Sequence, residues 1–476
     1  MIAETTLPRH RNNARPGGRG RSWLIAALLV TIAAPAAAQE ERSSAPSLPE
    51  SAGEETPPEP MDKMQVLEER ITELNEHIRQ SEEARQIASP LSWNGYVDFG
   101  FFVPLGNGGV GWVRDDGHTQ FPQYGNYAWV FLGDILGTPV NTRGEVADLG
   151  DATGLTVPRY DGINSDGAAS FILNEINLRP RYQLSDNAIM RASLNFAPRT
   201  GSDFALGDTI DADLAELEYL ITKDGKTSFF AGKILPVFGI EYKEKKSDQR
   251  FGITPSIISR YTVGSQLGLK IRSKLLDDWL VLAGSVTNGS STIEMFHFYN
   301  ETDKNDFKTL NGRAAISAPI GRLYRSDDRL EIGFSGEWGT PDRAHNDSRK
   351  MWFIGGDLQY LGVNYALKAQ IMKGKSPGLV DQGVWGLELN WSGYAEINVL
   401  PFAHLGFIGR AEFRDAMVTL GTDRLYLTKQ ARFTGGIRVV VNAHIAVKGE
   451  YLHNVEYGGI TAFDNDVVTS SMVLAF

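Results

Sequence analysis

The stretch VVTSSMVLAF, residues 467–476, decides the reading of the chain. Val468, Ser470, Met472, Leu474 and Phe476 fall on one side, and Thr469, Ser471, Val473 and Ala475 on the other. A period of two puts successive side chains on opposite faces of a strand, and here one face is the greasier. Taken alone, the stretch equally fits the last half-buried strand of a soluble sheet, so the rest of the chain has to decide.

From Trp93 onward the same period recurs in segments of about ten residues. SWNGYVDFGFFV (92–103) sets Trp93, Val97, Phe99, Phe101 and Val103 on one side. QLGLKIRS (266–273), RLEIGFSGEW (329–338), GVNYALKAQI (362–371) and HIAVKGEYL (444–452) alternate in the same way. The connections alternate too. Tight turns are expected at 184–187, 222–226, 274–278 and 442–443, and long polar stretches at 105–170, 199–210, 235–262, 290–309, 339–349, 374–382, 422–429 and 457–466. Short turn and long loop in succession are the wiring of an up-and-down transmembrane barrel.

Sixteen strands are expected between 92 and 476. The apolar stretch YAWVFLGDIL (127–136) leaves an alternative, either a plug segment or part of an extra hairpin that would raise the count to eighteen. In lipid every backbone N–H and C=O must be paired within the protein, so only helices and closed barrels span it. A barrel strand needs only about nine to eleven residues, every second one apolar, so such a chain never needs a long apolar run. The fold class is therefore all-β: a transmembrane, up-and-down antiparallel β-barrel over 91–476, of about 16 strands, preceded by a short coiled-coil helix.

The segments before the barrel read separately. Residues 1–38 read as a signal peptide: Arg9, Arg11, Arg15, Arg19 and Arg21 precede the apolar core WLIAALLVTIAA (23–34), and Ala36-Ala37-Ala38 fits a cleavage site. An uncleaved anchor is the alternative. Residues 39–60 are rich in Pro, Glu and Ser and read as a disordered spacer. In 61–89, Met64, Leu67, Ile71, Leu74 and Ile78 sit at a/d spacing and predict a coiled coil, or else a single amphipathic helix. The net charge is −11, and losing five arginines and one glutamate with residues 1–38 takes it to about −15. Such an acidic chain with no basic block is not expected to bind nucleic acid. The absence of cysteine excludes disulfides, thiol chemistry and cysteine-based metal sites.

If the greasy side of each strand faces lipid, the other side faces the lumen. The basic pore-lining candidates are then Arg179, Arg181, Arg191, Lys270, Arg272, Lys368, Arg410 and Arg414, joined by Arg438 and Lys448. Acidic candidates include Asp98, Glu175, Glu216, Glu218, Glu331, Asp357, Glu388, Glu412 and Glu450. Charges of both signs are costly against hydrocarbon and comfortable in a water-filled channel. The same positions would suit wall residues that simply pair with one another. The stretch LPVFGIEYKEKKSDQRFGITPSIISRYT (235–262), between the fifth and sixth strands, carries Lys243, Lys245, Lys246, Arg250 and Arg260 against Glu241, Glu244 and Asp248. Those five bases are the pore-constriction candidates; an ordinary solvated loop is the alternative.

Within this region FFAGKILPVFGIEY (229–242) resembles the aromatic–Gly–Lys/Arg–x–x–Pro–x–aromatic–Gly passage of phosphate-selective porin O/P-like proteins. The succession of signal peptide, short coiled coil and barrel resembles the DcaP-like trimeric porins. The resemblance implies a sixteen-stranded homotrimeric channel for passive diffusion of small hydrophilic, anionic solutes. It implies a place among the lipids of a Gram-negative outer membrane, with the N-terminal helix in the periplasm. It also implies that the loop after the fifth strand folds into the channel, and that a terminal aromatic such as Phe476 is presented to the barrel-assembly machinery. The chain departs from the phosphate-selective pattern in showing no dense arginine ladder.

Two rivals remain open on the sequence. A structural or adhesive barrel would have a plugged lumen. An outer-membrane enzyme would need a nucleophile, a base and an orienting group. None of the eight histidines has catalytic or metal-ligand spacing, and Asp161, Asn164 and Asp166 in YDGINSDG match a calcium loop only weakly. No catalytic residue, metal or cofactor is therefore expected.

Overall fold

The structure, a computed structural model, describes residues 90–105, 169–196, 210–289, 305–320, 328–341, 350–377, 385–420, 423–457 and 466–476. The expectations for 1–38, 39–60, 61–89 and 127–136 lie outside these residues. Sixteen strands form the wall. The first eight are β1 (Leu91–Leu105), β2 (Ser170–Ser185), β3 (Ala188–Phe196), β4 (Ile210–Leu220), β5 (Thr227–Ile234), β6 (Gln266–Leu275), β7 (Leu280–Thr287) and β8 (Thr309–Pro319). The second eight are β9 (Arg329–Gly339), β10 (Met351–Leu361), β11 (Tyr365–Pro377), β12 (Trp385–Phe402), β13 (Leu405–Leu420), β14 (Asp423–Asn442), β15 (Ile445–Glu456) and β16 (Asp466–Ala475).

Each strand pairs antiparallel with its neighbours in sequence, and β16 returns to β1, so the sheet closes. The seam is complete to the last residue: Gly95 N–H donates to Phe476 O at 3.1 Å and Phe476 N–H to Gly95 O at 3.0 Å. Closure leaves no unpaired edge, which is what a sheet needs in hydrocarbon. The wall closes with sixteen strands, all of them among the described residues.

The two faces of the wall are inverted relative to a water-soluble protein. Phe171, Ile316 and Phe334 on the outside are 69 %, 61 % and 62 % exposed, while Arg414 and Arg432 on the inside are fully buried. The greasy face of each strand therefore points outward and the polar face inward, the pattern of a transmembrane barrel.

The connections alternate as expected. The 421–422 connection is the shortest at the long-loop end: the stretch 422–429, read from sequence as a loop, is mostly the first part of β14. There Met417 pairs with Tyr426 and Val418 with Leu425, so the β13–β14 ladder runs on to Leu420 and Asp423.

Candidate functional site

The residues between β5 and β6 fold inward and span the lumen. The loop carries a small core of its own: Val237, Phe238, Ile240, Ile253, Ile257, Ile258 and Tyr261 are all buried. They face inward-pointing apolar wall residues, among them Phe353, whose ring stacks on Tyr261 with centroids 6.4 Å apart. Burying an apolar cluster inside an otherwise polar lumen is what draws the loop off the rim. The two glycines of the FFAGKILPVFGIEY stretch set its course. Gly232 (φ +117°) lies near the end of β5 where a Cβ would strike Ala215 O, and Gly239 (φ +69°) turns the chain where a Cβ would strike the Gln370 amide.

Three sets of polar contacts fix the loop to the wall. Toward β1–β4, Lys245 pairs with Asp213 and donates to Ser265 Oγ at 3.2 Å. Lys246 reaches Asp213 Oδ2 at 2.8 Å, Asn195 Oδ1 at 2.9 Å and Glu175 Oε1 at 3.1 Å. Burial opposes the charge on Lys246, but Asp213 and Glu175 outweigh it and hold the ammonium above its ordinary range. Ser247 donates to Asp98, and Asp248 pairs with Arg179.

Toward β13–β15 the wall captures loop backbone. The Glu450 carboxylate accepts Ile253 N–H at 2.6 Å and Thr254 N–H at 3.0 Å. Glu412 accepts Ile257 N–H at 2.7 Å while also receiving Arg410 and Arg432 Nε, each at 2.8 Å. Arg410 donates onward to Thr254 O, Arg432 to Pro255 O, and Lys448 to the carbonyls of Ser247, Arg250 and Gly252. Toward β9 and β11, Gly239 N–H donates to Ser335 Oγ, Ile240 N–H to Gln370 Oε1, and Lys368 pairs with Glu244.

Among the constriction candidates, Lys245, Lys246 and Arg250 are thus buried. Arg250 donates to Lys245 O at 3.1 Å, and Lys243 alone of these four stays open, 3.3 Å from Glu331. The Arg260 side chain lies outside the described residues. Among the pore-lining candidates, Lys368, Arg410 and Arg414 are buried against the loop or wall. Arg179, Arg181, Arg191, Lys270 and Arg272 come together on the inner face of β2, β3 and β6, toward the short-turn end. Arg181 stands opposite Arg191, and Lys270 and Arg272 lie over the Phe230 ring at 4.3 and 5.2 Å.

In this group the two signs are treated unequally. Arg191 and Arg272 side chains are 32 % and 42 % exposed, whereas their partners Glu216 and Glu218 are 5 % and 6 % exposed. Water inside the barrel meets the cations and not the carboxylates.

Sequence parity passed over several inward charges, among them Arg313, Arg432 and Asp213. Arg313 and Arg432 point inward at regular positions of β8 and β14 and were within reach of the same alternation. Asp213 was not: it is the extra residue of a bulge, since Leu194 pairs with Ala212 and Ser193 with Leu214. The bulge turns it into the lumen. A bulge in β12 does the reverse to Glu388, which alternation assigns to the lumen. It lies beside Lys375 on the outer face, 3.2 Å away.

No family model matches the chain, and no curated protein does. Solved structures are similar in fold. The outer membrane channel DcaP of Acinetobacter baumannii is 10 % identical with a TM-score of 0.48, covering 81 % of this chain and 97 % of its own. Pseudomonas putida OprB is 11 % identical with a TM-score of 0.47, covering 81 % and 94 %. A mutant of the Rh. blastica porin is 12 % identical with a TM-score of 0.40, covering 81 % and 100 %.

Proposed function

We propose that the barrel is an outer-membrane porin, a passive route for small hydrophilic solutes with a preference for anions. The observation that carries this reading is the unequal exposure at the β2–β6 wall. Arg191 and Arg272 stand open to the lumen while Glu216 and Glu218 beside them are withdrawn. Lys243 repeats the pattern on the loop, 40 % exposed against 15 % for Glu331. An ion in the lumen responds to the nearest unscreened charges, because salt screens those beyond about 8 Å at physiological strength. The acidic total of the chain is therefore less relevant than these few cations, which favour anions through the local field.

A homotrimer in a Gram-negative outer membrane, with residues 61–89 on the periplasmic side, completes the proposal and rests on the porin resemblance. Crosslinking of native membranes tests it, with a ladder ending at three chains expected.

A structural barrel with a plugged lumen is the second reading, favoured by the loop's three-sided attachment. Single-channel recording in a planar bilayer separates the two. The porin reading expects discrete steps and an anion-signed reversal potential in a salt gradient. A silent bilayer with folded protein supports the plug, and a cation-signed potential overturns the substrate class.

A further inference from the structure

The outer face of the wall carries a groove of about 620 Å³ across β10–β14. Its floor is made by small residues in register: Ala369 lies opposite Ala395, and Ala395 opposite Ala411. Its sides are large, with Ile371 on one flank and Phe413 and Phe433 on the other. The inward-pointing residues of the same strands, Gln370 and Glu412, are buried behind the floor, so the hollow opens outward.

A charge stands above the groove. On the outward face of β11, Ala369 is followed by Ile371, Lys373 and Lys375 toward the long-loop end. Lys375 pairs with Glu388. Lys373 has no ion-pair or hydrogen-bond partner among the described residues, and Trp391, 49 % exposed, lies in the β12 bulge opposite it. On β13 the same spacing leads from Ala411 past Phe413 to Asp415, which pairs with Lys429 at 3.9 Å. Charges thus begin four residues beyond the alanine floor on both strands, about 13 Å along the strand. An outward lysine is tolerated at the headgroup level and is costly deeper in hydrocarbon. An aromatic at the same level fits that boundary.

We infer that this groove seats an acyl chain of an anionic phospholipid of the surrounding leaflet, one whose phosphate carries no cation of its own, with that phosphate paired to Lys373. The hollow would otherwise leave Ala369, Ala395 and Ala411 without neighbours on one side, and a void forfeits dispersion contacts that a flexible chain supplies. The unpaired ammonium supplies the complementary charge. The inference needs only the barrel and its orientation, and holds whether or not the lumen conducts.

Native mass spectrometry of the full chain, released from detergent micelles containing phosphatidylglycerol or phosphatidylcholine, tests it. Retention of one phosphatidylglycerol in clear preference to phosphatidylcholine is expected. Lys373→Gln should weaken that retention about fivefold, and Ala369→Leu, which fills the floor, should abolish the preference with the barrel still heat-modifiable. Ala395→Trp is the stronger filler, and the milder Ala369→Leu keeps the test valid should it fail to fold. Equal retention of both lipids, or retention untouched by Lys373→Gln and Ala369→Leu, overturns the inference. So does inorganic phosphate competing away all retained lipid, or a change of oligomeric state on filling the floor without loss of lipid, which would make a second copy the occupant.

Discussion

Two parts of the lumen carry cations of similar number and use them in opposite ways. In the loop between β5 and β6, Lys245, Lys246 and Arg250 are buried and tied to Asp213, Glu175 and loop carbonyls. On the β2–β6 wall, the Arg191 and Arg272 side chains remain 32 % and 42 % open, although each also touches a carboxylate. The difference is geometric. The loop brings its cations to a wall already set with carboxylates on several sides, so each pair is desolvated. The wall cations reach along a strand to neighbours, and their far sides stay wet. The lesson is that a basic loop in a barrel can be held by its charges, leaving the field in the channel to the wall.

The largest expected effect lies at the loop attachment. Glu412→Ala leaves Arg410 and Arg432 buried without their shared carboxylate. Removing one member of a buried pair costs about 3–5 kcal/mol. Thermal unfolding of the detergent-folded barrel should show that loss, with noisier channel openings as the loop loosens. Unaltered stability would mean the loop is held chiefly by its apolar core. Lys245→Gln with Lys246→Gln probes the opposite side, where Asp213 would be stranded, and should cost a similar amount with a smaller change of reversal potential than the wall variant below.

That wall variant, Arg191→Gln with Arg272→Gln, sharpens the contrast from the other direction. The arginine ends are partly in water, which weakens these pairs, but Glu218 is withdrawn and loses both partners, so the melting temperature should fall by less than in the Glu412 variant, where every member is buried. The reversal potential in a salt gradient should shift toward cations, because the two cations open to the lumen are removed while the carboxylates of Glu216 and Glu218 remain. Lys243→Gln should shift it in the same direction by less. If the loop lysines change selectivity and the wall arginines do not, the assignment of roles is reversed.

The wall was legible in the sequence because lipid imposes a strict period of two and tight turns break it at regular intervals. The inward faces of Arg179, Arg181, Arg191, Lys270 and Arg272 follow from parity alone. Their convergence does not, since β2 and β6 become neighbours of one patch only through the intervening strands. The roles inside the loop were hidden for another reason. Lys243 and Lys245 are two residues apart and of the same chemistry, yet one is open and the other buried. What separates them is Asp213, which reaches Lys245 only because a bulge breaks the alternation that made the other positions readable. Glu388 fails for the same cause with the opposite sign.

The smallest predicted effect is a dependence on pH, and it belongs to the loop. Glu241 is buried and accepts Ser256 N–H at 2.7 Å and Ser256 Oγ–H at 2.6 Å. Burial pushes its carboxyl up to about 7; the Ser256 hydrogen bonds and the Arg410 charge pull the other way, and the nearby Glu412 adds to the rise. A raised carboxyl binds its proton more tightly in the folded loop than in the unfolded chain. Its contribution to docking is therefore full below the ordinary glutamate range, near pH 4.3, and is lost as the pH rises through about 7. The barrel should melt a few degrees higher at pH 5 than at pH 8. Glu241→Gln keeps an acceptor for Ser256 and carries no charge, so it should flatten that difference while leaving the wall and its open arginines untouched. A slope that survives the substitution would move the titration elsewhere in the loop contacts. A slope that vanishes together with the pH dependence of channel noise would tie loop docking to this one carboxyl.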